Sequence, residues 1–250
     1  MIPQPIPNET ALFIKEKRLL IVADLHIGIE SDLQENGLHI PSQTPHMTRR
    51  LLSLINTYHP LSLIILGDVK HTIPNITIQE RIDVKHFLTT IATRLPIHII
   101  PGNHDGNLSW LLPGSTTLHS KDGYILDTFG FLHGHTWPHK DLLHCDYIIL
   151  GHTHPTVKLT DRLGFSSYEP CWVKGHLKKT LLKKQYPTAK NPTILITPAF
   201  NPLCGGVAIN DETPLGPLIK LLEPSKTELF LLDGTALGTI TSLQPKKTNH

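Results

Sequence analysis

Four times between residues 19 and 154 a short apolar run stops at a polar, glycine-containing turn that carries potential metal donors. Residues 19–23 run into Asp24-Leu25-His26, residues 61–66 into Gly67-Asp68, residues 97–100 into Gly102-Asn103-His104-Asp105, and residues 147–150 into Gly151-His152-Thr153-His154. Short apolar runs bounded by turn residues read as buried strands. Amphipathic segments separate the early ones. Within residues 41–58, Met47, Leu51, Leu54, Ile55 and Tyr58 recur at helical spacing with Pro60 as a stop, and residues 78–95 carry Ile82, Phe87, Leu88, Ile91 and Leu95 in the same way. Residues 11–14 and 19–23 flank a charged segment and predict a hairpin, and shorter apolar segments at 124–126, 129–133, 194–197, 207–209, 229–232 and 238–241 add strands later. Alternating strands and helices followed by strands predict a layered α/β fold with strands inside and helices outside. In open α/β sheets ligands bind beyond the carboxyl ends of strands, so turns of this kind at successive strand ends predict one convergent site.

The chain has 250 residues, suited to one domain with a sizeable core. We read residues 1–250 as a single domain, with a basic insert at about 165–192. The apolar runs are far too short to span a bilayer, and no signal peptide is visible at the start. The three cysteines, Cys145, Cys171 and Cys204, form no CxxC pair, which argues against a disulfide framework and fits a reducing cytoplasm. A net charge of +2 is too small to argue for nucleic acid by itself. Histidine is the unusual residue: 17 of them stand against 21 acidic side chains. Their positions matter more than their number.

Asp24 and His26, two residues apart, face one ion together only where the backbone already bends. Asp68 follows a glycine, which lets the chain turn sharply and leaves the carboxylate room to bridge two ions. Asn103 offers a neutral oxygen, and His133, His152 and His154 offer imidazoles. Mixed oxygen and nitrogen donors suit manganese, iron, zinc or nickel rather than calcium or magnesium alone. Two divalent ions about 3.5–4 Å apart activate water and clamp an in-line phosphoryl displacement. His104 is the candidate catalytic group, stabilising the phosphate or protonating the leaving oxygen.

These motifs, with His133-Gly134-His135, resemble the calcineurin-like metallophosphoesterases in order and in approximate spacing, over about residues 19–155. The stretches 23–30, 67–71 and 198–202 are similar to the small SbcD-related phosphoesterases of that superfamily. The resemblance implies a four-layer sandwich of two mixed β-sheets flanked by helices. It implies one metal on Asp24, His26 and His154, a second on Asn103, His133 and His152, and Asp68 between them. It also implies, by analogy, a helicase or ATPase partner. With manganese as the favoured metal, the expected function is a binuclear phosphodiesterase acting on nucleic acid or a nucleotide. The alternatives are a phosphomonoesterase or protein phosphatase, or a non-catalytic metal-binding interaction module of the same fold.

His71 and His135 stand beside donor positions and are candidates to touch substrate or to orient a ligand. Asp105 either orients His104 or closes its turn. Lys174 and Lys178 open a lysine-rich stretch, residues 174–190, edged by Trp172 and Tyr186. That pattern fits a grip on a phosphate backbone, and equally a solvated helix or loop. His39, His46, His59, His86, His98, His119, His139, His144, His176 and His250 read as surface or loop residues.

Overall fold

The computed structural model describes residues 2–74 and 76–244, and His250 lies outside them. Two mixed sheets carry the chain. The first has six strands in sequence order: β1 (Gln4–Pro5), β2 (Leu12–Ile14), β3 (Leu19–Ala23), β4 (Ser62–Leu66), β5 (Ile97–Ile99) and β6 (Thr116–Leu118). The predicted hairpin is the antiparallel β2–β3 pair, and β3 to β6 run parallel. The crossovers use helices α1 (Ile29–Glu35), α2 (Thr44–Tyr58) and α3 (Ile78–Ala92). Helix α3 starts at a capping box in which Thr77 accepts from the Glu80 N–H and Glu80 reaches back.

The second sheet contains β7 (Tyr124–Leu126), β8 (Phe129–Leu132), β9 (Tyr147–Leu150), β10 (Pro155–Thr160), β11 (Ser166–Gly175), β12 (Thr193–Ile196) and β13 (Val207–Ala208). Its order is β13-β10-β11-β12-β9-β8-β7, and β14 (Glu228–Leu231) and β15 (Ala236–Thr239) extend from β11. Strands β8, β9 and β12 are parallel. Helix α4 (Lys179–Gln185) connects β11 to β12, and α5 (Ile240–Leu243) follows β15.

Side chains along β3 alternate between two cores, the period-2 signature of a strand buried on both faces. Leu19, Ile21 and Ala23 face the second sheet and join Ile64, Leu66, Phe129, Phe131, Ile149 and Trp172 in a cluster between the sheets. Leu20 and Val22 point the other way, against Met47 and Leu51 of α2 and Phe87 and Leu88 of α3. On the far side, Ile148, Leu150, Ile194 and Ile196 pack with Leu182 of α4. The result is the expected four-layer arrangement of two mixed sheets between helices. Among the described residues, no helix is long and apolar enough to cross a membrane.

Two segments depart from the sequence reading. The β10–β11 hairpin is absent from it because the exposed half of β11, with Pro170 inside it, lacks alternation. His98 and His119 are half-buried rather than surface residues: their rings stack, and His119 lies 3.9 Å from the Tyr124 ring.

Candidate metal centre

The carboxyl ends of the parallel strands of both sheets converge. Asp24 and His26 follow β3, Asp68 follows β4, and Asn103 and His104 follow β5. From the second sheet, His133 follows β8, and His152 and His154 follow β9. All eight are brought to one place, with His104 at the rim. The accompanying cavity, of about 350 Å³, is lined by His26, Asp68, Asn103, His104, His152 and His154. Asp24, His26, Asp68, His152 and His154 all sit at positive φ, between +39° and +69°. The left-handed region is disfavoured for residues with a Cβ and persists where surrounding structure enforces it.

The enforcement is visible in the backbone. Gly67 (φ +72) lets the chain turn under His133, and a Cβ there would lie 2.4 Å from His133 Nδ1 and 2.7 Å from the Gly102 nitrogen. Asp105 is buried and closes the turn: its carboxylate accepts from Val69 N–H (2.8 Å) and Gly102 N–H (2.8 Å), tying the Asp68 loop to the Asn103 loop. Burial pushes its carboxyl up to about 6, against the opposing pull of the Gly102 hydrogen bond. A third loop, absent from the predicted site, completes the wall. Phe200 N–H donates to Ala23 O, and Asn201 Nδ2 donates to Leu25 O, each at 2.8 Å. Arg50 of α2 holds this loop from outside, 4.3 Å over the Phe200 ring and 3.0 Å from its carbonyl.

Imidazole orientation is set from behind. His133 Nδ1 donates to Leu66 O (2.8 Å), and His154 Nδ1 donates to Gly205 O (3.0 Å), which leaves both Nε2 lone pairs facing inward. His133 Nε2 lies 3.3 Å from Asp68 Oδ2 and 3.3 Å from Asn103 Oδ1. His26 Nε2 lies 3.5 Å from Asp68 Oδ2 and 3.3 Å from His154 Nε2, which is itself 3.3 Å from Asp24 Oδ1. Asp68 is therefore shared between a group around His26 and a group around His133. Asp24 with His26 and Asp68, and Asp68 with His133 and His152, each place donor atoms within 4.8 Å of one another. Inward-facing imidazole nitrogens and carboxylates this close repel unless a proton or a metal cation lies between them, and the mixed nitrogen and oxygen donors fit a divalent metal.

Electrostatics agree with that role. Burial holds His26 down to about 3 and His152 to about 4, so both are neutral at physiological pH, as a ligand must be. Burial opposes charge on Asp24, but His154 and His133 outweigh it and keep the carboxyl below its usual range. Asp68 is likewise held low against burial, by His133 first and His26 next. Burial also disfavours charge on His133, yet Asp68 and Asp24 raise it to about 9. Without a cation in the site, His133 keeps a proton that a metal would displace.

The remaining candidates divide. His71 joins the cluster: its Nδ1 is 3.1 Å from His26 Nδ1, and its Nε2 is 2.8 Å from Asp32 Oδ2 on α1. His135 packs 5.2 Å from the His133 ring, and its buried Nδ1 has no hydrogen-bond partner among the described residues. Cys204, unmarked as a site residue by the sequence, lies with His26 and His154 at metal-ligand spacing. A glycine pair directly after it, Gly205-Gly206, was the available signal. Lys174 and Lys178 are not brought to the centre. Lys174 lies within β11, opposite Leu195 and Glu228, and Lys178 lines a separate cavity with His176, Lys179, Lys190 and Lys226. That cavity adjoins the start of β12, whereas the donors follow the far end of its parallel neighbour β9.

No protein-family model and no curated protein matches the sequence. Solved structures do. The crystal structure of the Pseudomonas putida nuclease MPE aligns over 93% of this chain and 98% of its own, with a TM-score of 0.57 and 22% identity. A phosphoesterase from E. coli, Yfce, aligns over 88% of this chain and 96% of its own, at a TM-score of 0.38 and 17% identity. A Vps29 double mutant from Entamoeba histolytica aligns over 75% of this chain and 79% of its own, at 0.32 and 17%. The fold, two mixed β-sheets flanked by helices, is shared with the Pseudomonas putida nuclease MPE.

Proposed function

We propose that this chain is a binuclear metal-dependent phosphoesterase that hydrolyses phosphodiesters in nucleic acid or nucleotides. The observation that carries the reading is the shared carboxylate: Asp68 Oδ2 stands 3.5 Å from His26 Nε2 and 3.3 Å from His133 Nε2, between two groups of donors. Asp24, His26 and His154 would hold one divalent ion, Asn103, His133 and His152 a second, with Asp68 common to both. When bound, such ions supply Lewis acidity that acidifies water and offsets phosphate charge. Manganese is the favoured occupant, and the same donors accept iron, zinc or nickel.

The protein's own part is positioning and proton control. His104 N–H donates to Asp68 Oδ1 (2.9 Å), which fixes the shared carboxylate and sets His104 at the rim. Its Nδ1 contacts the His71 carbonyl, so Nδ1 carries the proton of the neutral ring. Nε2 is then the atom left for substrate. In the imidazolium form it donates to a phosphate oxygen or to the departing alkoxide. The preference for a diester is supported by the shared fold with a nuclease along nearly the whole chain.

The test is hydrolysis of bis-p-nitrophenyl phosphate beside p-nitrophenyl phosphate, on metal-stripped protein with manganese restored, with Asp68→Ala and His104→Ala in parallel. Diester turnover that depends on metal and is lost in both variants is the expected result. Monoester turnover alone would make the chain a phosphomonoesterase. Metal binding without turnover of either ester would make it an interaction module.

A further inference from the structure

A further cavity, of about 390 Å³, shares no lining residue with the cavity of the candidate metal centre. Pro74, Ile76, Arg81, Lys85, Asn107 and Trp110 are prominent in its lining. Two chain segments join it to the centre. Residues 71–74 begin at His71, next to His26, and end with Pro74 in the cavity wall, which also includes Ile76. Residues 103–111 begin at Asn103 and His104 and end with Asn107, Trp110 and Leu111 in the cavity wall. Glu80 fastens the first segment to α3 by accepting from the His71 and Thr72 N–H groups at 2.7 and 2.8 Å. Arg81, the next residue, lines the cavity. Leu108 N–H donates to Asp105 O at 3.1 Å, so the turn that carries Trp110 continues from the His104 loop.

The lining has a definite chemistry. Trp110 is 82% exposed, unusual for a residue that is highly buried on average. Arg81 and Lys85 stand four apart on α3, on one helix face. Among the described residues neither has a carboxylate partner, the lysine and arginine ion pairs being those of Lys17, Arg50, Lys158 and Lys226. No acidic side chain among the described residues lines the cavity. An exposed indole beside unpaired cations suits a flat ring attached to an anion, and Asn107 adds an amide that reads donor and acceptor edges.

We propose that this cavity is a nucleobase subsite for single-stranded nucleic acid, with a base stacked on Trp110 and adjoining phosphates held by Arg81 and Lys85. It rests on the phosphodiesterase reading for the identity of the reacting group, while the subsite itself binds without metal. The experiment titrates oligothymidylate into the full chain in EDTA, where cleavage is blocked, following tryptophan fluorescence and anisotropy at several salt concentrations. Trp110→Ala is expected to weaken binding roughly tenfold, with Trp110→Phe restoring most of it, since stacking tolerates any aromatic face. In an Arg81→Gln/Lys85→Gln variant, the slope of log K against log salt is expected to fall in magnitude by about 1.4, or ~0.7 for each single-strand phosphate that is no longer neutralised. Circular dichroism verifies that the variants fold. Wild-type-like binding in all three, or no binding by the wild type, overturns the subsite, and the exposed Ile78 and Ile82 nearby would then point to a protein partner. Because the readout is binding, its failure is separable from failure of the diester assay, which alone judges the catalytic reading.

Discussion

Replacing Gly67 by alanine separates what the metal centre needs from what the fold needs. Two costs arise. A non-glycine residue in the left-handed region loses ~1–2 kcal/mol, and Gly67 is there at φ +72. The new methyl would also sit 2.4 Å from His133 Nδ1 and 2.7 Å from the Gly102 nitrogen, approaches that have to open by about 1 Å, at an overpacking cost of ~1–3 kcal/mol. The total is ~2–5 kcal/mol, or roughly 4–20 °C in melting temperature for a domain of this size. Gly37 provides the control: it has φ +84, but a Cβ there meets nothing within 4 Å, so its alanine variant carries only the backbone cost. Differential scanning calorimetry of both variants without metal should therefore place Gly67→Ala lower by the packing part, roughly 2–12 °C. Metal analysis should then show a deficit of one ion, because displacing His133 disturbs the group it forms with Asp68 and His152. Diester turnover should fall ~100-fold, as a ~1 Å misplacement at a reacting centre does. Equal melting temperatures for the two variants, or full metal content in Gly67→Ala, would refute the claim that this turn is shaped by the donor cluster.

His104→Ala should lower kcat by ~10²–10⁴-fold while leaving metal content unchanged, measured by steady-state kinetics and elemental analysis. His133, raised to about 9 in the metal-free protein, stabilises the fold fully below its unfolded value of 6.5, and that contribution disappears as pH rises through about 9. Melting temperature of the stripped protein should accordingly decline across this window, and His133→Gln should remove most of the decline. By the same linkage, manganese affinity measured by calorimetry should increase as pH rises toward 9, with protons released on binding. Arg50→Ala, which removes the cation over Phe200 and a hydrogen bond to its carbonyl, should destabilise the protein by ~1–3 kcal/mol in denaturant titrations.

Much of the donor cluster could be read in the sequence because each donor ends a strand whose composition is unambiguous. Strands β3, β4 and β9 are buried along nearly their whole length, so Asp24, Asp68 and His152 stood out as polar residues where apolar runs stop. Helices α2 and α3 were legible from one-sided burial, Met47, Leu51 and Leu54 in one and Phe87, Leu88 and Ile91 in the other. Long-range contacts were not legible. Asn201 reaches the Leu25 carbonyl across 176 positions, and no local pattern announces such a contact. Cys204 has only the glycine pair after it as a local signal. Trp110 gave no signal because a lone aromatic in a short turn reads as packing until its exposure is known. The lysines of residues 174–190 show the opposite limit: charge in sequence says that a segment is wet, but not which end of a sheet it occupies.

The partition of donors between the two sheets bears on how the protein is made. Asp24, His26, Asp68 and Asn103 belong to the first sheet, and His133, His152 and His154 to the second. Each proposed ion draws on both sheets. On that proposal a nascent chain emerging from the ribosome would own no complete donor set until residue 152 is out and the second sheet has closed on the first. Metal capture becomes the final act of assembly, and a half-made chain offers cellular metals only fragments of a grip. Ions held as proposed would rivet one sheet to the other, so starvation for metal should be felt first as a loosening of that seam, with each sheet still intact.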